Sequence, residues 1–208
     1  MKMFVSPLLG MIAVAFLHVP ASAEIEKYSA RLAPLNSSIT KLETSGEATF
    51  TTEGDKLAIV VDVKNATAGI VHLQHFHGFK TGDKNATCPT AAADTNSDKI
   101  IDLIETEPMA GTTMVPFHDD PVSMEIPRET YPKASAQGAY YYEKTVSLKS
   151  LDEAFGKAFG GQNIALDRRV VFVHGIAPDS TLPSTVSSLG DIPAHVTLPI
   201  ACGVIEKE

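Results

Sequence analysis

Hydrophobic and polar residues alternate along much of this chain with a period of two, which is typical of strands that bury one face. The alternation is clearest on the two sides of the turn Glu53-Gly54-Asp55, where the flanking segments are expected to pair. Arg169-Val-Val-Phe-Val173 is a continuous apolar run with β-branched residues and indicates a central strand. Pro199 cannot donate a ladder hydrogen bond, so we expect the last strand to be edge-like there. The predicted strands are residues 47–52, 57–63, 71–79, 139–148, 169–173 and 197–205.

One short helix interrupts the strand pattern. Ser150 and Glu153 have the spacing of a capping box, which predicts that the helix starts there. Its apolar face would consist of Leu151, Phe155 and Phe159. Gly160-Gly161 ends it. Many short strands joined by glycine- and proline-rich turns indicate an all-β protein, a β-sandwich.

The N-terminal segment has the pattern of a signal peptide, with Lys2, an apolar run and the small residues Ala21-Ser22-Ala23. We therefore expect residues 1–23 to be removed and residues 24–208 to form one domain, exported to the periplasm or outside the cell. Without Lys2 the chain has 16 basic and 25 acidic residues, a net charge of −9. This charge argues against nucleic acid or a membrane surface as a partner. Asn-x-Ser/Thr sequons, which matter only in a glycosylating host, begin at Asn36, Asn65 and Asn85.

The segment His72-Leu-Gln-His75-Phe-His77-Gly-Phe79 holds three of the seven histidines of the chain. If it is a strand, His75 and His77 face the same side with Cβ atoms about 7 Å apart. Two imidazoles at this spacing suit one metal ion, and imidazole suits copper and zinc. The alternative is a polar turn that is rich in histidine. The two cysteines, Cys88 and Cys202, are expected to form a disulfide in an exported protein, and the alternative is two buried thiols.

Residues 94–105 match the pattern of an EF-hand calcium loop. The expected oxygen donors to one calcium ion are Asp94, Asn96, Asp98, the carbonyl of Ile100, Asp102 and Glu105. Lys99 departs from the pattern, because it stands where the sharp turn favours glycine. The alternative is an acidic loop exposed to solvent.

Four segments, in order, resemble the copper–zinc superoxide dismutase superfamily. They are His72-x-x-His75-x-His77, His118-Asp-Asp-Pro121, Arg169-Val-Val-Phe-Val-His174 and Ala201-Cys202-Gly-Val-Ile205. The resemblance implies a Greek-key β-sandwich with one copper ion bound by His75, His77, His118 and His174. It also implies that His72 is a structural histidine beside the ligands. A weaker resemblance, to chordin-type domains, covers residues 46–79.

The chain also departs from that superfamily. Residues 122–151 contain no histidine or aspartate, so we expect no zinc beside the copper. Pro199 stands where the superfamily has an arginine that guides superoxide, and residues 175–201 contain no Lys or Arg. His195 and Arg128 are candidates for a replacement charge. The resemblance implies an exported copper protein that dismutates superoxide to dioxygen and hydrogen peroxide, with superoxide or another small redox molecule as its partner. The alternative is a non-catalytic chordin-like or copper-carrying binding module with a calcium-stabilised loop. The sequence leaves the oligomeric state open.

Overall fold

The computed structural model describes residues 24–81 and 84–208, so the predicted signal peptide lies outside the described residues. Within them the strands are β1 Ile25–Pro34, β2 Ser45–Glu53, β3 Lys56–Lys64, β4 Gln74–Gly78, β5 Thr112–Pro116, β6 Tyr140–Ser147, β7 Val170–His174, β8 Pro199–Val204 and β9 Glu206–Lys207. The α-helices are α1 Ser37–Thr40, α2 Leu103–Ala110, α3 Leu148–Ala158 and α4 Ala194–Thr197. None of the helices in this part of the chain is long and apolar enough to cross a membrane.

The strands pair in the order β5-β4-β7-β8-β1-β2-β3-β6, and β9 pairs with β1. All of these ladders are antiparallel. The chain crosses between the two halves of this order after β3, β5, β6 and β8, as in a Greek key. The turning point is β1, which pairs with β2 through Leu32 and with β8 at Ala33 and Pro34. The all-β Greek-key fold expected from the sequence is therefore confirmed.

The main core lies between the two halves of the curled sheet. Phe50 of β2 contacts Phe117, which follows β5, with ring centroids 5.8 Å apart. Phe76 of β4 lies 5.9 Å from the same ring. Phe155 of α3 packs against Phe76 and closes one side of this core. The outward face of β4 consequently carries its histidines away from this apolar layer, since alternate residues of a strand face opposite sides.

The strand predictions hold best where apolar residues are dense. Of the predicted residues 169–173, all but Arg169 lie in β7, in the interior of the strand order between β4 and β8. The expected edge-like position of Pro199 is wrong, because β8 lies between β7 and β1. Pro199 is instead the first residue of that strand, where its missing N–H is tolerated. The predicted strand at 71–79 is shorter than expected, since only Gln74–Gly78 form β4.

The predicted helix exists, but the predicted capping box is wrong. α3 starts one turn earlier than expected, because Ser147 is its N-cap and accepts a hydrogen bond from the backbone N–H of Ser150. Glu153 lies near Lys149 on the exposed face instead of reaching back to a cap. Gly160 and Gly161 follow with φ of 66° and 86°, which end the helix as expected.

Two long-range connections hold the strand β8 to distant segments. Cys202 forms the expected disulfide with Cys88, with Cα atoms 5.8 Å apart. Asn36 donates hydrogen bonds from its amide to the carbonyls of Ile101 and Pro199, both at 2.9 Å. Its side-chain oxygen accepts from the N–H of Ile101. The segment around residue 101 and the start of β8 are therefore fixed to each other through one side chain.

Candidate metal centre

Three histidines converge on the outward face of the β4–β7 pair. His75 and His77 lie on β4, and His174 is the last residue of β7. The His75 ring centroid lies 4.9 Å from that of His77 and 4.7 Å from that of His174. One nitrogen of each ring lies within 4.8 Å of the others. Within the described ranges this three-histidine cluster is the one group of three or more His, Cys, Asp or Glu side chains with ligand atoms this close.

The cluster is buried and two of its nitrogens lack partners. His75 is 4% exposed, and His77 and His174 are each 1% exposed. Among the described residues, no group forms a hydrogen bond with His75 Nδ1 or His174 Nε2, although both atoms are buried. An unsatisfied buried polar atom costs about 1–3 kcal/mol, so two in one cluster require an explanation. A shared metal ion is a partner that satisfies both.

His174 and His77 each donate a ring N–H to a backbone carbonyl, as metal-binding imidazoles commonly do. His174 Nδ1 donates to the carbonyl of Thr197 at 2.8 Å, which leaves a lone pair on Nε2. His77 Nδ1 donates toward the carbonyl of Gly111 at 3.4 Å, and its Nε2 accepts from Thr113 Oγ1 at 3.2 Å. The lone pair of His77 Nε2 is therefore open to a metal only when the Thr113 hydroxyl turns its hydrogen away. Histidines that ligate metals usually donate their other N–H to a carbonyl or carboxylate. The backbone of the chain therefore orients at least two of these rings.

Burial also sets the protonation state of the cluster. It lowers the pKa of His77 to about 3, helped by the nearby ring of His174. It lowers the pKa of His174 to about 4, against the hydrogen bond to Thr197. The pKa of His75 lies well below its usual value, first through burial and then through its histidine neighbours. All three rings are therefore neutral at pH 7 and offer lone pairs to a cation.

His118, the fourth predicted copper ligand, lies close by but outside the cluster. It is buried, and its ring is near enough to contribute to the lowered pKa of His75. Its Nε2 donates to the carbonyl of Glu125 at 3.0 Å. Its Nδ1 accepts from the backbone N–H of Asp120 at 3.2 Å. Both nitrogens are thus bonded within the loop that follows β5, and the ring must turn before either can bind a metal.

His72 is buried next to the cluster and contacts it through the backbone. Its Nδ1 lies 2.9 Å from the carbonyl of His174, and its Nε2 lies 2.9 Å from the carbonyl of Thr67. A neutral imidazole has one N–H and donates to only one of these carbonyls. Burial lowers the pKa of His72, although both carbonyls act in the opposite direction. The ring stacks on Tyr140 with centroids 5.7 Å apart. His72 therefore packs between Tyr140 and the backbone at the end of β7.

A small pocket of about 30 Å³ leads to His75 and His174 from the surface. Its other walls are Leu73, Leu103, Thr113, Ile126, Leu189, Ile192 and Thr197. Ile126 and Leu189 are 41% and 53% exposed. No Lys or Arg is among the described residues that line this pocket. Pro199 is buried and pairs with His174 in the ladder, so this position beside the cluster carries no charge.

The predicted calcium loop uses its carboxylates to fix its own backbone. Asp94 accepts hydrogen bonds from the N–H groups of Asp98 and Lys99, and Asp98 accepts from the N–H of Ile100. Asp98 also accepts from the hydroxyl of Thr185. Lys99 has a φ of 68°, the left-handed conformation that glycine adopts at this position of a calcium loop. The carboxylates do not converge as tightly as the three-histidine cluster does in the described chain.

The end of this loop forms a helix cap that the sequence analysis missed. Asp102 accepts from the N–H of Glu105, and Glu105 accepts from the N–H of Asp102, which is a capping box for α2. Glu105 also accepts from the N–H groups of Thr95 and Asn96. The Asp-x-x-Glu spacing was a visible signal for this cap. The calcium assignment stays a prediction.

Comparison with known proteins gives little further information. No protein-family model matches the chain, and no curated protein matches it. Among solved structures, a copper–zinc superoxide dismutase from Brucella abortus is similar over 87% of this chain and 100% of that chain. The two are 18% identical, and the TM-score is 0.38. Likeness at this level does not carry a functional argument, so the function must be argued from the histidines.

Proposed function

We propose that this chain is an exported copper protein in which the three-histidine cluster binds one copper ion. The observation that carries the proposal is the pair of buried nitrogens without hydrogen-bond partners, His75 Nδ1 and His174 Nε2. The third ring is that of His77, and one nitrogen of each of the three rings lies within 4.8 Å of the others. Three neutral imidazoles fit a copper ion chemically, and their lowered pKa values mean that no proton has to be displaced at pH 7.

Copper fits this donor set better than the other common metals do. Calcium and magnesium prefer oxygen ligands, and no carboxylate belongs to the cluster in the described chain. Both cysteines are in the disulfide, so no thiolate is present to favour a softer metal site. Three histidines also bind zinc in some enzymes. For a shared set of nitrogen ligands, however, Cu(II) binds more tightly than Zn(II).

The reaction proposed for this site is the dismutation of superoxide. When bound, copper supplies a one-electron couple, and the net reaction converts two superoxide ions and two protons into dioxygen and hydrogen peroxide. The pocket over His75 and His174, about 30 Å³, matches the share of volume of about one water molecule and so suits a diatomic substrate. His118 is proposed as a fourth ligand in one oxidation state, because its hydrogen bonds within its own loop provide a resting position when it is released.

A specific observation also favours a second candidate, a non-catalytic copper carrier. The pocket walls are mainly apolar, and none of the described lining residues is basic. An anionic substrate therefore gains no attraction at the mouth, and electrostatic steering can be worth 10- to 1,000-fold in association rate. Three histidines without His118 would suit a protein that holds Cu(I) and passes it on.

Metal analysis of the exported protein, together with a superoxide assay, tests both candidates. We expect one copper and less than stoichiometric zinc per chain, and a His75→Ala/His77→Ala double variant that has lost the copper. His195→Gln is the matched control, because it removes a histidine that lies outside the cluster. Full copper in the double variant, or one tightly bound zinc in the wild type, contradicts the copper site. A fully loaded but inactive wild type favours the carrier.

A further inference from the structure

A second pocket lies beside the first and has a different chemistry. Its volume is about 180 Å³, and its lining includes Arg128 and His195. The rest of its lining is Ile70, Val71, Leu73, Gly175, Ile176, Pro178 and Val196. Gly175 directly follows His174. The two pockets share Leu73 as a lining residue.

The guanidinium of Arg128 is available to a ligand. Arg128 is exposed and forms no ion pair or hydrogen bond with any residue that the structure describes. No Asp or Glu is among the described residues that line the pocket, so no carboxylate neutralises the guanidinium there. His195 is half-buried at the same pocket, and its backbone carbonyl accepts from the N–H of Ile176, which fixes its position. A positively charged residue thus lies at a mainly apolar cavity in a chain of net negative charge.

We propose that this pocket binds a small organic monoanion, with its carboxylate at Arg128 and its hydrocarbon body against Ile70, Val71, Ile176 and Val196. The volume equals about six water molecules at about 30 Å³ each, which suits a ligand of about six to eight non-hydrogen atoms. Superoxide and inorganic anions have no apolar body, so they would leave these walls without contacts. A guanidinium recognises a carboxylate by two parallel hydrogen bonds, and short-chain monocarboxylates combine both features.

Titration with sodium pentanoate, followed by two-dimensional amide NMR, tests the proposal. The protein is used with its disulfide intact, as purified and again after dialysis against a chelator, so that binding at a metal is distinguished from binding in the pocket. We expect saturable shifts of the Gly175, Ile176 and Val196 amides in both samples. Acetate should bind more weakly, because it lacks the hydrocarbon body, and pentylammonium should not bind.

Two variants with the same change of charge test whether Arg128 binds the carboxylate. Arg128→Gln should weaken pentanoate binding by about fivefold, the loss expected for one ion pair at a partly exposed site. Arg31→Gln is the matched control, because Arg31 is also exposed but lies on β1 and does not line the pocket. The proposal is overturned by shifts that do not saturate, by equal binding of acetate or pentylammonium, or by equal losses in the two variants. Shifts that occur only in the sample with metal also overturn it.

Discussion

Acidification should destabilise the metal-free protein far more than a typical domain of this size. The prediction concerns the free energy of unfolding between pH 7.5 and pH 5, measured in the presence of a chelator. Over this interval the three-histidine cluster stays neutral in the folded chain, because burial lowers the pKa of His77 to about 3 and of His174 to about 4. The pKa of His75 is also far below its usual value. In the unfolded chain each of these histidines titrates near pH 6.5.

The sign and size follow from proton binding. Below pH 6.5 the unfolded state binds protons that the folded state does not, so stability rises with pH and is lost as the pH falls. The loss stops growing only below the folded-state pKa values, near pH 3 to 4. Between pH 7.5 and pH 5, each histidine that stays neutral in the folded state lowers the free energy of unfolding by about 2 kcal/mol. The three histidines together therefore lower it by about 6 kcal/mol. A domain is stable by about 5–15 kcal/mol, so this loss removes much of its stability.

Urea unfolding at a series of pH values measures this effect. The chain has no tryptophan, so circular dichroism is the suitable probe. Between pH 6 and pH 5 the free energy of unfolding should change by about 4 kcal/mol per pH unit from the three protons of the cluster, and His72, whose pKa is also lowered by burial, adds to this slope. His77→Gln should remove about one third of the cluster's contribution to this slope, whatever it does to absolute stability, while Leu189→Ala, which removes no ionisable group, should leave it unchanged. A stability that is flat from pH 7.5 to pH 5 would refute the reasoning.

Three further predictions follow from other parts of the molecule. Replacing Cys88 and Cys202 by serine removes a cross-link between residues 114 apart and should lower the free energy of unfolding by up to about 5 kcal/mol, measured from urea midpoints. An unchanged midpoint would contradict the loop-entropy account. Lys99→Gly should stabilise the protein by about 1 kcal/mol, because glycine tolerates the φ of 68°. Calcium should raise the melting temperature of both proteins, and equal values in calcium and chelator would argue against the calcium loop. Superoxide turnover by the copper-loaded protein should be unchanged or faster in added salt, and Ile126→Arg at the pocket mouth should accelerate it at low salt. A wild-type rate that falls steeply with salt would contradict this.

The sequence predicted those features that depend on local pattern or on covalent chemistry. β7 follows from its apolar, β-branched run, and the common side of His75 and His77 follows from the two-residue period of a strand. The disulfide follows from an even pair of cysteines in a chain expected to be exported. The hydrophobic pattern of β1 is weaker, because only Ala30 and Leu32 of its ten residues are buried. It is nevertheless a strand, since its backbone pairs with β2, β8 and β9.

Other features were set by contacts between distant segments. The position of His118 depends on how its loop places the carbonyl of Glu125 and the N–H of Asp120. The pocket over the cluster has walls from residues as far apart as Leu73 and Ile192. The placement of Arg128 at the same pocket as His195 likewise depends on a loop and on α4, which come together only in the folded chain. No sequence period reports contacts of this kind. The common side of His75 and His77 could therefore be predicted from the sequence, and the residues that line the pocket over them could not.

The bonding of Asn36 has a practical consequence for the choice of expression host. Its side-chain nitrogen, which is the atom that an N-linked glycan would modify, already donates to the carbonyls of Ile101 and Pro199. A secretory pathway that glycosylates nascent chains would reach the sequon Asn36-Ser37-Ser38 before these bonds form. The attached sugar would then keep the segment around Ile101 away from the start of β8, next to His174. Production in a bacterial periplasm avoids this modification and still provides the oxidising conditions that the disulfide needs.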